Sequence, residues 1–293
     1  MNSLHFITYG DKNFSIQRKR IGFQAKKFKL FKQVSIYNEK SLEKKFKKEF
    51  SILFQNQIGG GFWIWKPKII LEKLKTMEEK ELLIYCDSGS TLNYYAKSKF
   101  LEYIKIFKES TKELFLFELS DQIENQWTTR EVFHALNVTK RKDITDSKQL
   151  QGSFIMIKNS KFTQNFFSEV IEIVAKDNNL ITDYYDNLQS NNFIGSRNDQ
   201  SIISVLAKLK GCYIHKDECH FHNNSEIQLN YPILHVRDKH YNLWQKCKFY
   251  FLYPVNINRL ILFNQGRFYF KKTFFLVKTI RRIKNYFKKI NFR

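Results

Sequence analysis

Short apolar runs and amphipathic repeats alternate along the first 215 residues. Near the start, LHFITYGD alternates apolar and polar positions and stops at Tyr9, Gly10 and Asp11, which predicts a strand running into a ligand-facing turn. A basic stretch over 16–31 predicts a helix, and 33–38 a second short strand. Over 41–54, Leu42, Phe46, Phe50 and Leu53 recur at helical spacing behind Ser41, a residue suited to the N-cap. In the next run, QNQIGGGFWIWKPKIILEKL, Gly59, Gly60 and Gly61 open backbone conformations closed to other residues. Pro67 suits the first turn of a helix carrying Ile69, Ile70, Leu71 and Leu74.

Leu82, Leu83, Ile84 and Tyr85 form a continuous apolar run, the pattern of a strand covered on both faces, and it ends on Asp87, Ser88 and Gly89. A helix is expected over 96–110 and a strand over 113–119. Thr128 with Glu131 reads as a capping box opening a helix that holds Arg130, Val132, Phe133 and Leu136. A further strand over 151–160 and a helix over 162–175 follow. The run SRNDQSIISVLAKLKG predicts a helix with Asp199 as its cap, Ile202, Ile203, Leu206 and Leu209 as its apolar face and Gly211 as its stop. Residues 212–215 return to an extended pattern. This alternation argues for an α/β fold, one sheet with helices on both faces, a class that by itself names no chemistry.

A chain of 293 residues that is 43% hydrophobic can bury a sizeable core, so one large domain with an appendage is expected, divided as 1–255 and 256–293. No run approaches the ~18 apolar residues of a membrane span, and MNSLHFITYGDKNF has neither the basic nor the apolar region of a signal peptide. Cys86, Cys212, Cys219 and Cys247 are too few and scattered for a disulfide framework, and a cytoplasmic location is expected.

Charge changes the picture at one end. The chain carries +22, of which +14 falls on 239–293, a stretch with 14 Lys and Arg and no acid. Within it Leu276, Ile280, Ile283, Phe287 and Ile290 line one face of a helix, with Lys278, Arg281, Arg282, Lys288 and Lys289 on the other. An apolar stripe with a cationic face suits a helix lying in an anionic membrane surface, or else one packed on the domain or a partner chain. Binding to nucleic acid is the rival reading of +22 with 29 Phe and 15 Tyr. Against it, most aromatics fall at core spacing and the charge gathers at one end.

Candidate chemistry begins with Asp87, at the carboxyl end of a strand, where open α/β sheets bind ligands; the alternative is a plain turn residue. Trp63, Trp65 and Lys66 lie between a glycine hinge and a helix start, as core anchors or as ligand contacts. His215, Cys219, His220 and His222 match no standard zinc spacing. The triple glycine lacks the Gly-Lys-Ser/Thr of a phosphate loop.

Taken together, FITYGD, GGGFWIWKP, YCDSG and RNDQSIISVLAKLKG, with ILHVRDKH at 233–240, resemble the GT-A fold glycosyltransferases, in particular bacterial hexosyltransferases that build capsule, lipopolysaccharide or lipooligosaccharide. The resemblance implies a Rossmann-like nucleotide-sugar-binding sheet, with Thr8, Tyr9 and Gly10 near the base and ribose, and Asp87 and Ser88 at the donor. Asp87 takes the place of the first acid of the family's Asp-x-Asp, but here the pattern is Asp-Ser-Gly. A divalent cation, Mn²⁺ or Mg²⁺, is then held by fewer protein ligands, or with a distant residue such as His235, or is not used. Lys66, Arg130 and Arg197 are the candidates for charge that supports the diphosphate leaving group. The Asp199-Gln200 pair resembles one beside the reacting sugar in retaining families, Asp199 orienting a hydroxyl and Gln200 facing the oxocarbenium-like centre. Trp63 and Trp65 are placed on the acceptor loop. The implied partners are a nucleotide-sugar donor, a glycan or lipid-linked glycan acceptor and an anionic membrane surface on the cytoplasmic face of the inner membrane, with no nucleic acid. An inactive scaffold that lost the second acid is the remaining alternative.

Overall fold

In the computed structural model the described residues are 3–219 and 230–235. Their strands are β1 (Leu4–Tyr9), β2 (Gln33–Tyr37), β3 (Leu82–Cys86), β4 (Thr91–Leu92), β5 (Leu114–Ile123), β6 (Lys148–Lys158), β7 (Tyr213–His215) and β8 (Ile233–Leu234). Six of them form one sheet in the order β2-β1-β3-β6-β5-β7, and β4 pairs with β8 in a small second sheet. β2, β1 and β3 are parallel, β7 is parallel to β5, and β6 runs antiparallel between β3 and β5. The helices are α1 (Ser15–Phe28), α2 (Lys44–Glu49), α3 (Ser51–Phe54), α4 (Gly59–Phe62), α5 (Trp65–Lys75), α6 (Lys97–Glu109), α7 (Glu124–Trp127), α8 (Arg130–Ala135), α9 (Lys142–Thr145), α10 (Lys161–Lys176) and α11 (Asp199–Lys210).

Side chains alternate across a strand, so each central strand feeds two cores. Phe6, Ile84, Phe115 and Met156 enter one face with Ile21 and Phe28 of α1 and Phe100, Tyr103 and Phe107 of α6. Ile7, Leu83, Tyr85, Leu116 and Ile155 enter the other with Ile70 of α5, Phe167 of α10 and Ile203 of α11. Each such fully buried large side chain contributes roughly 1.5–3 kcal/mol. The expected α/β fold with helices on both faces is what the described residues form.

Local signals were displaced by a residue or two where a stronger partner was available. The helix expected over 41–54 divides into a 3₁₀ turn at Glu39–Ser41, α2 and α3, because Asn38 caps the turn and Phe50 leaves helical dihedrals at φ −102°, ψ 30°. Ser41 therefore closes the Asn38 capping box and caps no long helix. The bend still buries Leu42, Phe46, Phe50 and Leu53. Thr129, not Thr128, caps α8, since the Thr128 hydroxyl donates to the buried Glu124 carboxylate at 2.6 Å. Asp199 is the first residue of α11 and not its cap; Asn198 holds that position at φ 52°, ψ −121°. Leu209 is 37% exposed while Ile202, Ile203 and Leu206 are buried.

The described cysteines Cys86, Cys212 and Cys219 are free thiols. Among the described residues no helix is long and apolar enough to cross a membrane. The basic stripe at 276–290, Cys247, His220, His222 and the boundary at 255 lie outside the described residues.

Candidate active site

A cleft of about 750 Å³ opens where β1 and β3 end, lined by Tyr9, Gly10 and Asp11 on one side and Asp87, Ser88, Gly89 and Ser90 on the other. β6 supplies Gln151, Gly152 and Ser153, and the entry to α11 supplies Ser196 to Gln200. The antiparallel insertion of β6 makes this possible, because it lays the middle of a strand beside the end of β3: the Asp87 N–H donates to the Ser153 carbonyl at 2.8 Å.

On the cleft floor the Lys66 ammonium lies 2.6 Å from Asp199 Oδ2 and 3.7 Å from Asp87 Oδ1, and it donates to the Gly152 carbonyl at 3.0 Å. Lys66 and Asp199 are buried, whereas the Asp87 side chain keeps 30% of its surface exposed. Asp87 Oδ1 also accepts from the Tyr85 hydroxyl, whose ring lies 5.3 Å under the Lys66 ammonium. Burial acts to lower the Lys66 pKa, but the Asp199 and Asp87 charges overcome it and hold it above its ordinary value. Burial pushes Asp199 up from 3.8 to about 6 against the pull of Lys66, with the Asp87 charge adding to the rise. Two acids share one base, so the cluster carries a surplus of negative charge facing the cleft.

Backbone in the left-handed region builds two walls of the site. Gly59, Gly60, Gly61, Phe62 and Trp63 all have positive φ, 57°, 61°, 101°, 53° and 62°. A Cβ on Gly59 would lie 2.4 Å from the Trp63 ring, so glycine is needed there for space as well as for conformation. This turn delivers Trp65, whose indole N–H donates to the Gly59 carbonyl at 2.8 Å and whose ring stacks on Tyr9 at 3.8 Å. On the opposite wall Asn198 sits at φ 52°, and its amide donates to the Ile181 carbonyl and to Asp183. At the non-glycine positions Phe62, Trp63 and Asn198 such conformations cost about 1–3 kcal/mol and persist where the surroundings hold them.

His235 reaches the cleft through β8. Its Nδ1 is hydrogen-bonded to Ser90 Oγ at 2.6 Å and its Nε2 to Ser153 Oγ at 3.2 Å.

Of the residues expected from sequence, Tyr9, Gly10, Trp63, Trp65, Lys66, Asp87, Ser88, Arg197, Asp199, Gln200 and His235 line this one cleft. Thr8 does not; it is fully buried in β1, paired with Ile36. Arg130 does not either: it is exposed on α8 and paired with Asp186. Trp65 is a buried anchor, whereas Trp63 is partly exposed. Arg197 stacks its guanidinium 3.9 Å over the Trp127 ring. The Gln200 amide is engaged with β6, donating to Gln149 at 2.6 Å and accepting from the Gly152 N–H at 3.0 Å.

Sequence reading missed Tyr85, Ser90, Gly152 and Ser153. Only Gly152 left a signal, a glycine inside a strand, which marks close approach of another backbone; a Cβ there would lie 3.1 Å from Gln200.

Asp87 fits a role as a single carboxylate ligand for a cation, since its side chain opens to the cleft. His235 as placed has both ring nitrogens on serine hydroxyls, and no group of three or more His, Cys, Asp or Glu converges to hold a metal among the described residues. The donor set suits a cation held largely by a ligand's own oxygens, as Mg²⁺ commonly is.

No family model matches the chain, and no curated protein matches it. Solved structures do resemble it. One is a glycosyltransferase involved in glycosylation of the major capsid of PBCV-1, at 11% identity and TM-score 0.46, covering 81% of this chain and 94% of that one. Another is the galactosyltransferase LgtC in complex with donor and acceptor sugar analogues, at 9% identity and TM-score 0.41, covering 79% and 86%. A third is the apo form of the glycosyltransferase GlyE of Streptococcus pneumoniae TIGR4, at 14% identity and TM-score 0.44, covering 93% and 64%.

Proposed function

We propose that the protein is a glycosyltransferase that moves a sugar from a nucleoside-diphosphate donor to a glycan acceptor. The observation that carries this reading is the buried Lys66 ammonium held between Asp87 and Asp199 at the floor of a polar cleft beyond the ends of β1 and β3. Sugar transfer passes through an oxocarbenium-like centre while a diphosphate departs with growing negative charge. The surplus negative charge of the Asp87–Asp199 pair meets the first need. Asp199, ionised above about pH 6, accepts a hydrogen bond from a donor-sugar hydroxyl and orients the ring. Lys66 holds both carboxylates in place. The locked Gln200 amide holds β6 and α11 at a set distance, and a fixed dipole beside the reacting centre supports the reading of transfer with retention.

Arg197, flattened on Trp127 at the cleft wall, is the cation that meets the leaving diphosphate. Asp87 would hold a divalent cation, which would supply further neutralisation of the leaving group. Tyr9 and Gly10, on the far side of the cleft, contact the nucleoside. Trp63 faces the acceptor. The acceptor class is a surface glycan such as capsule, lipopolysaccharide or lipooligosaccharide. The basic stripe at 276–290 holds the enzyme on an anionic membrane beside a lipid-linked acceptor; removing 274–293 should abolish salt-sensitive co-sedimentation with anionic vesicles and spare donor hydrolysis.

The deciding experiment is a screen of nucleotide sugars, with and without Mn²⁺, by thermal shift and by release of nucleoside diphosphate. Stabilisation by one nucleotide sugar with turnover supports the reading. Stabilisation without turnover in any acceptor mixture points to a scaffold, and no stabilisation by any donor overturns the proposal.

A further inference from the structure

α1 carries a buried polar stripe outside the lining of the cleft. Gln17, Arg20 and Gln24 are buried along one face of the helix, with Arg20 and Gln24 fully inaccessible. A guanidinium in such a place is costly unless its N–H groups are matched. Arg20 Nη2 donates to the Ser88 carbonyl at 3.1 Å and to the Ser90 carbonyl at 2.6 Å. One turn further along α1, Gln24 Oε1 accepts from the Leu92 N–H at 3.1 Å. The helix thus grips three backbone groups within the five residues that follow Asp87.

That turn carries the site. The Ser90 N–H donates to the Asp87 carbonyl at 3.0 Å, and Ser90 Oγ holds His235. Leu92 is paired with Ile233 in the small sheet that leads to His235. Ile21, Ala25 and Phe28 of the same helix pack in the apolar cluster, whereas the buried Arg20 donates to two backbone carbonyls. The planar guanidinium NH₂ places two donors on one atom in a fixed geometry, and both are used on the Ser88 and Ser90 carbonyls that flank Gly89.

We infer that Arg20, seconded by Gln24, is a positioning residue: it holds the 87–92 turn so that Asp87 and the Ser90–His235 pair face the cleft, acting through the backbone and not on the substrate. The inference rests on the reading of the cleft as the donor site. The test uses Arg20→Lys and Gln24→Met in the full chain. Arg20→Lys keeps the charge but loses the planar pair of donors. We expect hydrogen exchange in a peptide covering 88–92 to rise about tenfold in either variant, with exchange in β1 and β6 unchanged. We expect kcat for donor hydrolysis to fall by roughly 100-fold in Arg20→Lys while KM for the donor moves less than about threefold. Unchanged exchange at 88–92, or faster exchange across the whole sheet with parental kcat per folded molecule, would overturn the inference. Should Arg20→Lys fail to fold, Gln24→Met, which removes the acceptor of the Leu92 N–H, decides by the same two readouts. A parent protein that turns over no nucleotide sugar would sink the reading of the cleft, and the exchange measurement would still decide whether α1 braces the turn.

Discussion

Lys66 and Lys208 both bury an ammonium group against β6, and each meets a carboxylate brought by another element. Lys208, on α11, donates to Glu124, to the Ser147 hydroxyl and to the Lys148 carbonyl, each at 2.7 Å. Glu124 is fully buried and accepts in addition from Thr128, Gln149 and Ser204. One acid meets one base, and Lys208 places its ammonium on three acceptors. Around Lys66 the count is different, with two acids to one base and one of those acids open to the cleft. The pKa directions follow. Burial wins at Lys208 and lowers it although Glu124 opposes, while at Lys66 two carboxylates reverse the effect of burial. A closed cluster of matched charge holds α7, β6 and α11 together, whereas an open one with surplus charge has a place for a ligand to fill.

Removing the base from the open cluster should have the largest effect. Lys66→Met leaves two buried or half-buried carboxylates without their cation, and denaturant titration should show a loss of about 3–5 kcal/mol together with loss of turnover. Stability near that of the parent would mean that Lys66 does not organise the pair.

Asp87→Ala should separate function from fold. Transfer should drop at least ~10³-fold, while the melting midpoint stays within the equivalent of about 1 kcal/mol because the like charge beside Asp199 is relieved. Retained turnover, or a midpoint far below the parent's, would remove Asp87 from the site.

Glu124→Gln probes the closed cluster. It should cost roughly 1–3 kcal/mol in denaturant titration, since Lys208 loses its charge partner but keeps two oxygen acceptors. Turnover per folded molecule should stay within about twofold. A larger fall would show that the closed cluster serves the site through Gln149 and Gln200.

The smallest effect is a pH dependence. As pH falls through about 6, Asp199 takes up a proton and turnover should decline along an acid limb with that midpoint, read from kcat against pH. The stability effect has the opposite sense. The folded pKa lies above the ordinary 3.8, so the Asp199 contribution to stability is fully present below about 3.8 and is lost as pH rises to about 6. An acid limb near 4 would mean that the carboxylate is solvated and the cluster open to water.

Most of the sheet was legible because strands and helices announce themselves locally. The alternation in LHFITY and the apolar run LLIYC place β1 and β3 within a residue of where they occur. Asp87 was legible for the same reason, as the first polar residue after a buried strand. Arg130 misled because a basic residue at a helix start reads the same whether it faces a cleft or, as here, an aspartate on a neighbouring loop. Arg20 stood in a basic stretch expected to be helical, and nothing in its neighbours tells that it is fully buried.

By itself the sequence determined most of the longer elements, the two apolar faces of each central strand and the residue types available at strand ends and helix starts, since periodicity and capping act over a few residues. Only the tertiary structure decided that β6 enters antiparallel between β3 and β5, which carries Gly152 and Ser153 beside Asp87. Only the fold brought Lys66 within 2.6 Å of Asp199 and joined Ser90 to His235. Those contacts link residues far apart in the chain, and their energy comes from desolvation and from charge held at short range in a buried place. Neither exists until the sheet has closed around them.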